Sequence, residues 1–259
     1  MKLINLSFCD SITALSNLCT PNLETLNLSS CRNLIKVSDS IGSLPKLKTW
    51  NLEYCGELQK LPSSLRLKSL KFLNLYSCSR LEKFPNIHQE MKCLEDLNLS
   101  YSGIRELHPS LGYLTRLRTL KLDYCVQDFP DRINKMRLTP IPCTSFDTLS
   151  EYGLLSLESL HLRDCGANLI DLDFWMKPKY FPKLTILYLS DSNIVSIPES
   201  IISFTSLADL SIDNCKKLQN IPRLPQSIRR VNAINCFSVD PQSFRRLWTQ
   251  VSLSFKFEL

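Results

Sequence analysis

The sequence predicts an α/β solenoid, a chain wound into coils that stack one parallel sheet. One phrase recurs ten times in 259 residues: leucine, two residues, leucine, one residue, leucine, two residues, and then usually cysteine. It is clearest as Leu23, Leu26, Leu28, Cys31; as Leu47, Trp50, Leu52, Cys55; as Leu70, Leu73, Leu75, Cys78; and as Leu207, Leu210, Ile212, Cys215. The first slot falls at Met1, Leu23, Leu47, Leu70, Leu94, Leu117, Leu157, Leu184, Leu207 and Ile228, in steps of 22, 24, 23, 24, 23, 40, 27, 23 and 21 residues. Self-similarity at a fixed period of this length marks a leucine-rich-repeat solenoid and outranks local propensity. The expected domain is a horseshoe over residues 1–239, with about ten repeats, a parallel concave β-sheet and an irregular or short-helical convex side.

Within each coil the leucine, any residue, leucine segment alternates with period two, as a half-buried strand does. Consecutive strands run parallel because each coil returns the same way. Nine steps at roughly 4.8 Å make a sheet about 45 Å long. The return half of many coils carries a proline: Leu61-Pro62 before Leu65, Phe84-Pro85 before Ile87, and Ile197-Pro198 before Ile201. Proline removes a backbone donor, so these stretches are expected to be irregular or short helical returns and not more sheet.

Two coils are enlarged. The first insertion, from Pro130 to Leu155, is polar around Ile141-Pro142-Cys143. The second, Leu169 to Pro182, holds Phe174, Trp175, Tyr180 and Phe181, and is expected to lay an aromatic helix over the core. Long insertions in compact domains are functional loops or tolerated excursions.

The ends carry their own signals. Met1 falls in the first strand and no amphipathic cap precedes it, so the N-terminal boundary reads as a cut through a longer protein. At the other end Asp240-Pro241 suits an N-cap and first helical position, and Phe244, Leu247, Trp248 and Val251 share one helical face. Leu253, Phe255, Phe257 and Leu259 then alternate like a strand, so 240–259 is expected to hold a terminal helix and the start of a post-repeat strand domain. No apolar run is long enough for a membrane span, and Met1 to Asp10 lacks the pattern of a secretory signal.

Eleven cysteines suggest a disulfide framework until their positions are read. Cys9, Cys31, Cys55, Cys78, Cys125, Cys165, Cys215 and Cys236 occupy one slot of the repeat, and Ser102 and Ser192 fill it in the other two coils. A small residue with a weak donor, turned inward there, can cap backbone carbonyls at the strand's end. Cys19, Cys93 and Cys143 lie off this ladder, no cysteine pair has zinc-ligand spacing, and the odd count points to a reducing compartment.

No active site is visible. His88, His108 and His161 form no metal pair and no recognisable nucleophile and base, and six glycines supply no phosphate-cradling motif. The chain is therefore expected to be non-enzymatic and to hold no cofactor and no metal. What it offers instead is an array of outward side chains on the concave face. Tyr54, Phe72, Tyr76, Tyr101, Tyr124, His161, Arg163 and Tyr188 are the candidate protein contacts, with Phe8 beside them. They are read as standing on neighbouring strands, where aromatics make binding hot spots. The rival explanation is that tyrosine has high strand propensity and packs well there. Asparagine repeats at Asn5, Asn27, Asn51, Asn74, Asn98 and Asn232, an exposed amide ladder that stiffens the sheet.

Charge shifts along the face. Asp96, Lys121, Asp123, His161, Arg163, Asp164, Asp191, Asp209 and Asp213 make a net acidic mosaic. From Lys216 onward the balance reverses, so the overall charge of +6 is largely a property of the tail. That basic end is expected to dock on an acidic neighbouring domain or to be solvated, in preference to binding nucleic acid.

Three stretches support a resemblance. They are Leu26-Asn27-Leu28-Ser29-Ser30-Cys31-Arg32-Asn33-Leu34, Leu75-Tyr76-Ser77-Cys78-Ser79-Arg80-Leu81-Glu82-Lys83-Phe84-Pro85, and Cys215-Lys216-Lys217-Leu218-Gln219-Asn220-Ile221-Pro222 with Leu224-Pro225-Gln226-Ser227-Ile228. Residues 1 to about 240 resemble the leucine-rich-repeat region of plant intracellular nucleotide-binding disease-resistance receptors, particularly those with a Toll/interleukin-1-receptor-like domain. The resemblance implies recognition of a pathogen effector protein and an autoinhibitory contact with the receptor's own nucleotide-binding domain. It also implies a cytoplasmic or nuclear setting and no membrane partner. Nucleotide switching and NAD cleavage would belong to other domains. The alternative is the substrate-recognition subunit of a ubiquitin ligase, whose repeats are expected near 26 residues and without the leucine-proline mark.

Overall fold

The computed structural model describes residues 1–104, 107–125, 154–164, 172 and 176–251. Ten three-residue strands pair in chain order into a single parallel sheet, from Leu3–Asn5 through Thr25–Asn27 and Thr49–Asn51 to Asp209–Ser211 and Arg230–Asn232. The register keeps the leucine slots level: Leu26 pairs with Trp50, Trp50 with Leu73, and Leu73 with Leu97. The eight inner strands bury their central residue and, Ser211 apart, leave the flanking two open or partly open, as the period-two reading requires, whereas Ile4 and Val231 at the centres of the two end strands are half-buried. The parallel sheet expected from the repeats is present, with ten strands among the described residues. Met1, however, lies two residues ahead of the first strand and not within it.

The leucines behind the sheet form one continuous core along the solenoid. Leu23, Leu26, Leu28, Leu47, Leu52, Leu70 and Leu75 are completely buried. Trp50 occupies a leucine slot, also completely buried, and its indole N–H has no hydrogen-bond partner. An orphaned buried donor costs stability, which the large apolar ring offsets.

The return side carries short 3-10 helices at Asp39–Ser43, Pro109–Tyr113 and Glu199–Ser203, as expected. It also carries more sheet, against expectation. Ala14–Leu15 pairs with Lys36–Val37, and Ser64–Leu65 with Asn86–Ile87. The prolines do not prevent this because they sit ahead of the paired residues. The ladder bonds run from Asn86 N to Ser63 O at 3.2 Å and from His88 N to Leu65 O at 2.9 Å, and Pro62 and Pro85 take no donor position in them.

The terminal helix spans Pro241–Val251, capped by Asp240 Oδ1, which accepts from Gln242 N and Ser243 N, each at 2.9 Å. The helix is where it was expected, but its buried face is not. Ser243 and Leu247 turn inward, while Phe244 and Trp248 are 41% and 57% exposed. Polar bonds set this rotation: Ser243 Oγ accepts from Ile221 N, and Gln250 exchanges two bonds with the backbone of Leu224. Tyr180 and Phe181 are buried, but the helix expected around Phe174 and Trp175, the insertion at Pro130, and the strand beyond Leu253 lie outside the described residues.

Candidate functional site: an aromatic and acidic lip along the sheet

The cysteine slot does what its position implied. Cys31 Sγ donates to Leu6 O at 3.0 Å, Cys55 to Leu28 O at 3.1 Å, Cys78 to Leu52 O at 3.2 Å, Cys125 to Leu99 O at 3.0 Å and Cys236 to Ile212 O at 3.0 Å. Each thiol caps the carbonyl that ends the previous coil's strand segment, and Ser192 Oγ reaches Leu162 O at 3.5 Å in the same way. Burial pushes the thiols up, Cys55, Cys125 and Cys215 to about 12. Cys9, Cys19, Cys31, Cys55, Cys78, Cys93, Cys125, Cys215 and Cys236 are all free.

Between the strand and the thiol each coil makes the same tight turn. In the first five coils an asparagine builds it. Asn5, Asn27, Asn51, Asn74 and Asn98 each accept, through Oδ1, the backbone N–H two residues on, at 3.0–3.1 Å. The expectation of an exposed amide ladder stiffening the sheet is corrected here: these bonds are local and shape the turn. Only Asn74 also reaches across coils among these five, from Nδ2 to Glu53 Oε2 at 2.9 Å.

One residue in every turn is left-handed. Phe8, Ser30, Tyr54, Ser77, Tyr101, Tyr124, Asp164, Asp191, Asn214 and Asn235 all have φ between 46° and 62°, and no glycine is among them. The conformation is fixed from the next coil: Tyr54 N donates to Tyr76 O, Tyr101 N to Asp123 O and Tyr124 N to Arg163 O, each at 2.8 Å. A left-handed L-residue costs roughly 1–2 kcal/mol, and asparagine and aspartate bear it best. The last four coils follow that rule, whereas four of the first six place an aromatic ring there.

These rings form a file along one lip of the sheet. Tyr54 meets Tyr76 edge-on at a centroid separation of 5.3 Å, and Tyr76 meets Tyr101 edge-on at 5.2 Å. Tyr101 stacks on Tyr124 at 4.6 Å with planes 16° apart. Tyr54 and Tyr101 remain 52% and 36% exposed. The sequence reading placed these four on strands, and that is a correction: all four sit in the turns after the strands. Their backbone donors serve the turn ladder, and the strand positions belong to the asparagines.

The file continues into a polar cluster. Tyr124 Oη donates to Asp191 Oδ2 at 3.0 Å, and Asn214 Nδ2 donates to Asp191 Oδ1 at 2.8 Å. Burial, and then Asp191, raise the Tyr124 phenol, and burial likewise raises the Asp164 and Asp96 carboxyls. His161 and Tyr188 are strand residues, their rings 4.5 Å apart, and the Arg163 guanidinium lies 4.5 Å over the Tyr188 ring. Asp123 faces His161 Nδ1 at 3.6 Å and accepts from Arg163 N at 2.9 Å. Arg163 Nε is buried with no hydrogen-bond partner.

Seven of the eight expected contact residues thus come together. Phe72 does not join them: it opens its strand, level with Thr49 and Asp96. Sequence reasoning names Asp191 only in the acidic mosaic and misses Asn214, although both occupy the slot of Tyr54 and Tyr101. The other lip is an ion-pair file, with Glu24 between Lys2 and Lys48, Lys71 beside Glu95, and Arg118 beside Glu158. A groove of about 720 Å³ opens elsewhere, between the last coils and the terminal helix, lined in part by Ile202, Arg223, Pro225 and Gln250. Among the described residues no group of three or more His, Cys, Asp or Glu side chains could hold a metal ion. No helix among them is long and apolar enough to cross a membrane.

The comparisons agree with the repeat. A family profile described as Leucine Rich Repeat matches residues 22–44. The chain is 29% identical to the Arabidopsis thaliana protein SUPPRESSOR OF npr1-1, CONSTITUTIVE 1 over 77% of its own length and 12% of that protein. It is 37% identical to the Arabidopsis thaliana disease resistance protein RPP2A over 31% of its length and 6% of that protein. It is 27% identical to the TMV resistance protein N of Nicotiana glutinosa over 58% of its length and 14% of that protein. The chain therefore spans about a seventh or less of each of these relatives. Among solved structures, the leucine-rich repeat domain of the type III effector XopL superimposes with a TM-score of 0.46 and 20% identity, covering 82% of this chain and 62% of that one. The chain is a leucine-rich-repeat solenoid whose curated relatives include plant disease resistance proteins.

Proposed function

We propose that this chain is the protein-recognition module of a plant immune receptor. On this reading it senses a pathogen effector protein and, when none is present, rests against the receptor's own nucleotide-binding domain in the cytoplasm. The module performs no chemistry; it holds a surface. The observation that carries this is the run of Tyr54, Tyr101 and Tyr124 in left-handed turns. Aspartate and asparagine fill that position in the last four coils, so the bulky rings are the costly choice there. Strained positions that persist because the surrounding bonds over-determine them concentrate at functional sites. The disease resistance proteins among the relatives supply the setting.

The test is site-specific photo-crosslinking in a full-length receptor carrying this chain, with a benzophenone side chain at Tyr76 and a control at Phe237, which is 79% exposed in the last coil. Adducts at Tyr76 to an effector or to the nucleotide-binding domain, absent at Phe237, support the reading. No adduct at Tyr76 in either the resting or the triggered state overturns it.

A further inference from the structure

The geometry points to a partner that presents an extended segment bearing lysine and arginine side chains, laid along the tyrosine file and onto the carboxylates that continue it. This rests on the reading of the lip as a protein-contact surface and adds the chemistry of what lies there.

Two observations converge on a cationic occupant. The first is the ring file itself. Tyr54, Tyr76, Tyr101 and Tyr124 pack ring to ring at successive coils, with Tyr54 and Tyr101 52% and 36% exposed. An aromatic face attracts a guanidinium or ammonium group, and the strand residue Tyr188 beside this lip already shows the preference, because the Arg163 guanidinium lies 4.5 Å over its ring. The second is charge. On the turns and adjoining strand ends of the sixth to ninth coils stand Asp123, Asp164, Asp191 and Asp213 against Lys121 and Arg163, four carboxylates to two permanent cations, while Asp209, which opens its strand, already pairs with Arg230 at 3.5 Å. Asp164 and Asp191 hold the left-handed slot in adjacent coils beside Tyr124, so two like charges are neighbours where the ring file ends. A cation from outside would relieve that repulsion.

Other occupants fit less well. Nucleic acid is repelled by the same carboxylates, because its phosphates need basic groups. A second copy of this chain could offer its basic end, around Lys216, Lys217, Arg229 and Arg245. That end lies beyond the acidic coils, so the contact would be head-to-tail and would build open filaments. The committed occupant is therefore a segment of another protein. The spacing of the rings, one per coil, suits side chains alternating along an extended backbone.

The experiment uses the 259-residue chain and three fluorescent peptides: alternating Arg and Gly, alternating Glu and Gly, and alternating Ser and Gly. Anisotropy is read at low and at physiological salt. The variants are Tyr101→Ala with Tyr124→Ala, and Asp164→Asn with Asp191→Asn, each checked by thermal melting. The expected result is binding of the arginine peptide alone, weakened about tenfold by either pair of substitutions and further by salt. Four results overturn the proposal: equal or tighter binding of the glutamate peptide; arginine binding no tighter than serine; arginine binding untouched in the folded tyrosine variant; or self-association that the tyrosine variant abolishes. The asparagine pair keeps the side-chain shape, so the charge arm stands if the alanine pair does not fold. Adducts at Tyr76 in the receptor with no arginine-peptide binding would sink the cationic partner and leave the contact surface standing. Arginine binding without adducts would do the reverse.

Discussion

The Tyr124 hydroxyl donates to Asp191 at 3.0 Å, across 67 residues of sequence, and so ties the aromatic run to the acidic one. The two fill the same turn slot in different coils, with Asp164 between them. Burial first, and the Asp191 acceptor second, hold the phenol above the ordinary tyrosine value of about 10. A raised acid contributes stability that is fully present below its unfolded value and is lost as pH rises through the folded one. Absorbance titration should therefore show Tyr124 ionising late, with Tyr76 also raised by burial, coupled to alkaline unfolding. Asp191→Asn should bring that ionisation down. A titration curve unchanged by the substitution would remove Asp191 as a cause.

The cysteine ladder makes a second alkaline prediction. Its thiols lie well above the ordinary value of about 8.5 because burial penalises the thiolate. The protonated ladder therefore supports the fold at neutral pH, and that support drains away as pH climbs through about 12. Thiol reagents at neutral pH should label exposed Cys19 first and leave Cys31, Cys55 and Cys78 untouched until denaturation.

Core and slot should respond differently to truncation. Leu52→Ala opens a cavity in the continuous core and should cost roughly 2–5 kcal/mol. Cys55→Ser keeps a donor for Leu28 O, as Ser192 does for Leu162 O, and should cost only about 1 kcal/mol. Denaturant midpoints of the two variants decide the point, and equal losses would mean the thiol is a packing residue first.

Much of this was legible in the residues. Leu26 and Leu28, two apart and repeated, place a half-buried strand, and Cys31 three residues later fixes where the chain turns inward. The turn itself was hidden. A left-handed residue is usually announced by glycine or asparagine, and the first six coils put Phe8, Ser30, Tyr54, Ser77, Tyr101 and Tyr124 there, so the tyrosines read as strand residues. The clue lay in Asp164, Asp191, Asn214 and Asn235 at the same slot of the later coils. The terminal helix misled for another reason: Phe244 and Trp248 are more apolar than Ser243, yet the hydrogen bond from Ile221 N to Ser243 Oγ sets which face is buried.

The strain in the turns can be measured at Ser77, whose φ is 59° and which carries no ring. Ser77→Gly removes the Cβ penalty at some cost in unfolded-state entropy, so it should be neutral to stabilising by about 1 kcal/mol, whereas Ser77→Val should destabilise by more than that. Thermal melting separates the two. If valine is tolerated as well as glycine, the turn is not over-determined and the argument from the tyrosines' conformation weakens.

The central claim is that the tyrosine file is a contact surface and not sheet packing. Its most direct test replaces Tyr54, Tyr76, Tyr101 and Tyr124 together by alanine in a full-length receptor carrying this chain. Resting and effector-triggered signalling are then measured on a protein whose melting shows it folded. The account predicts lost triggered signalling if the effector binds there, or signalling without a trigger if the autoinhibitory contact does. A folded quadruple variant with both signals unchanged would contradict it.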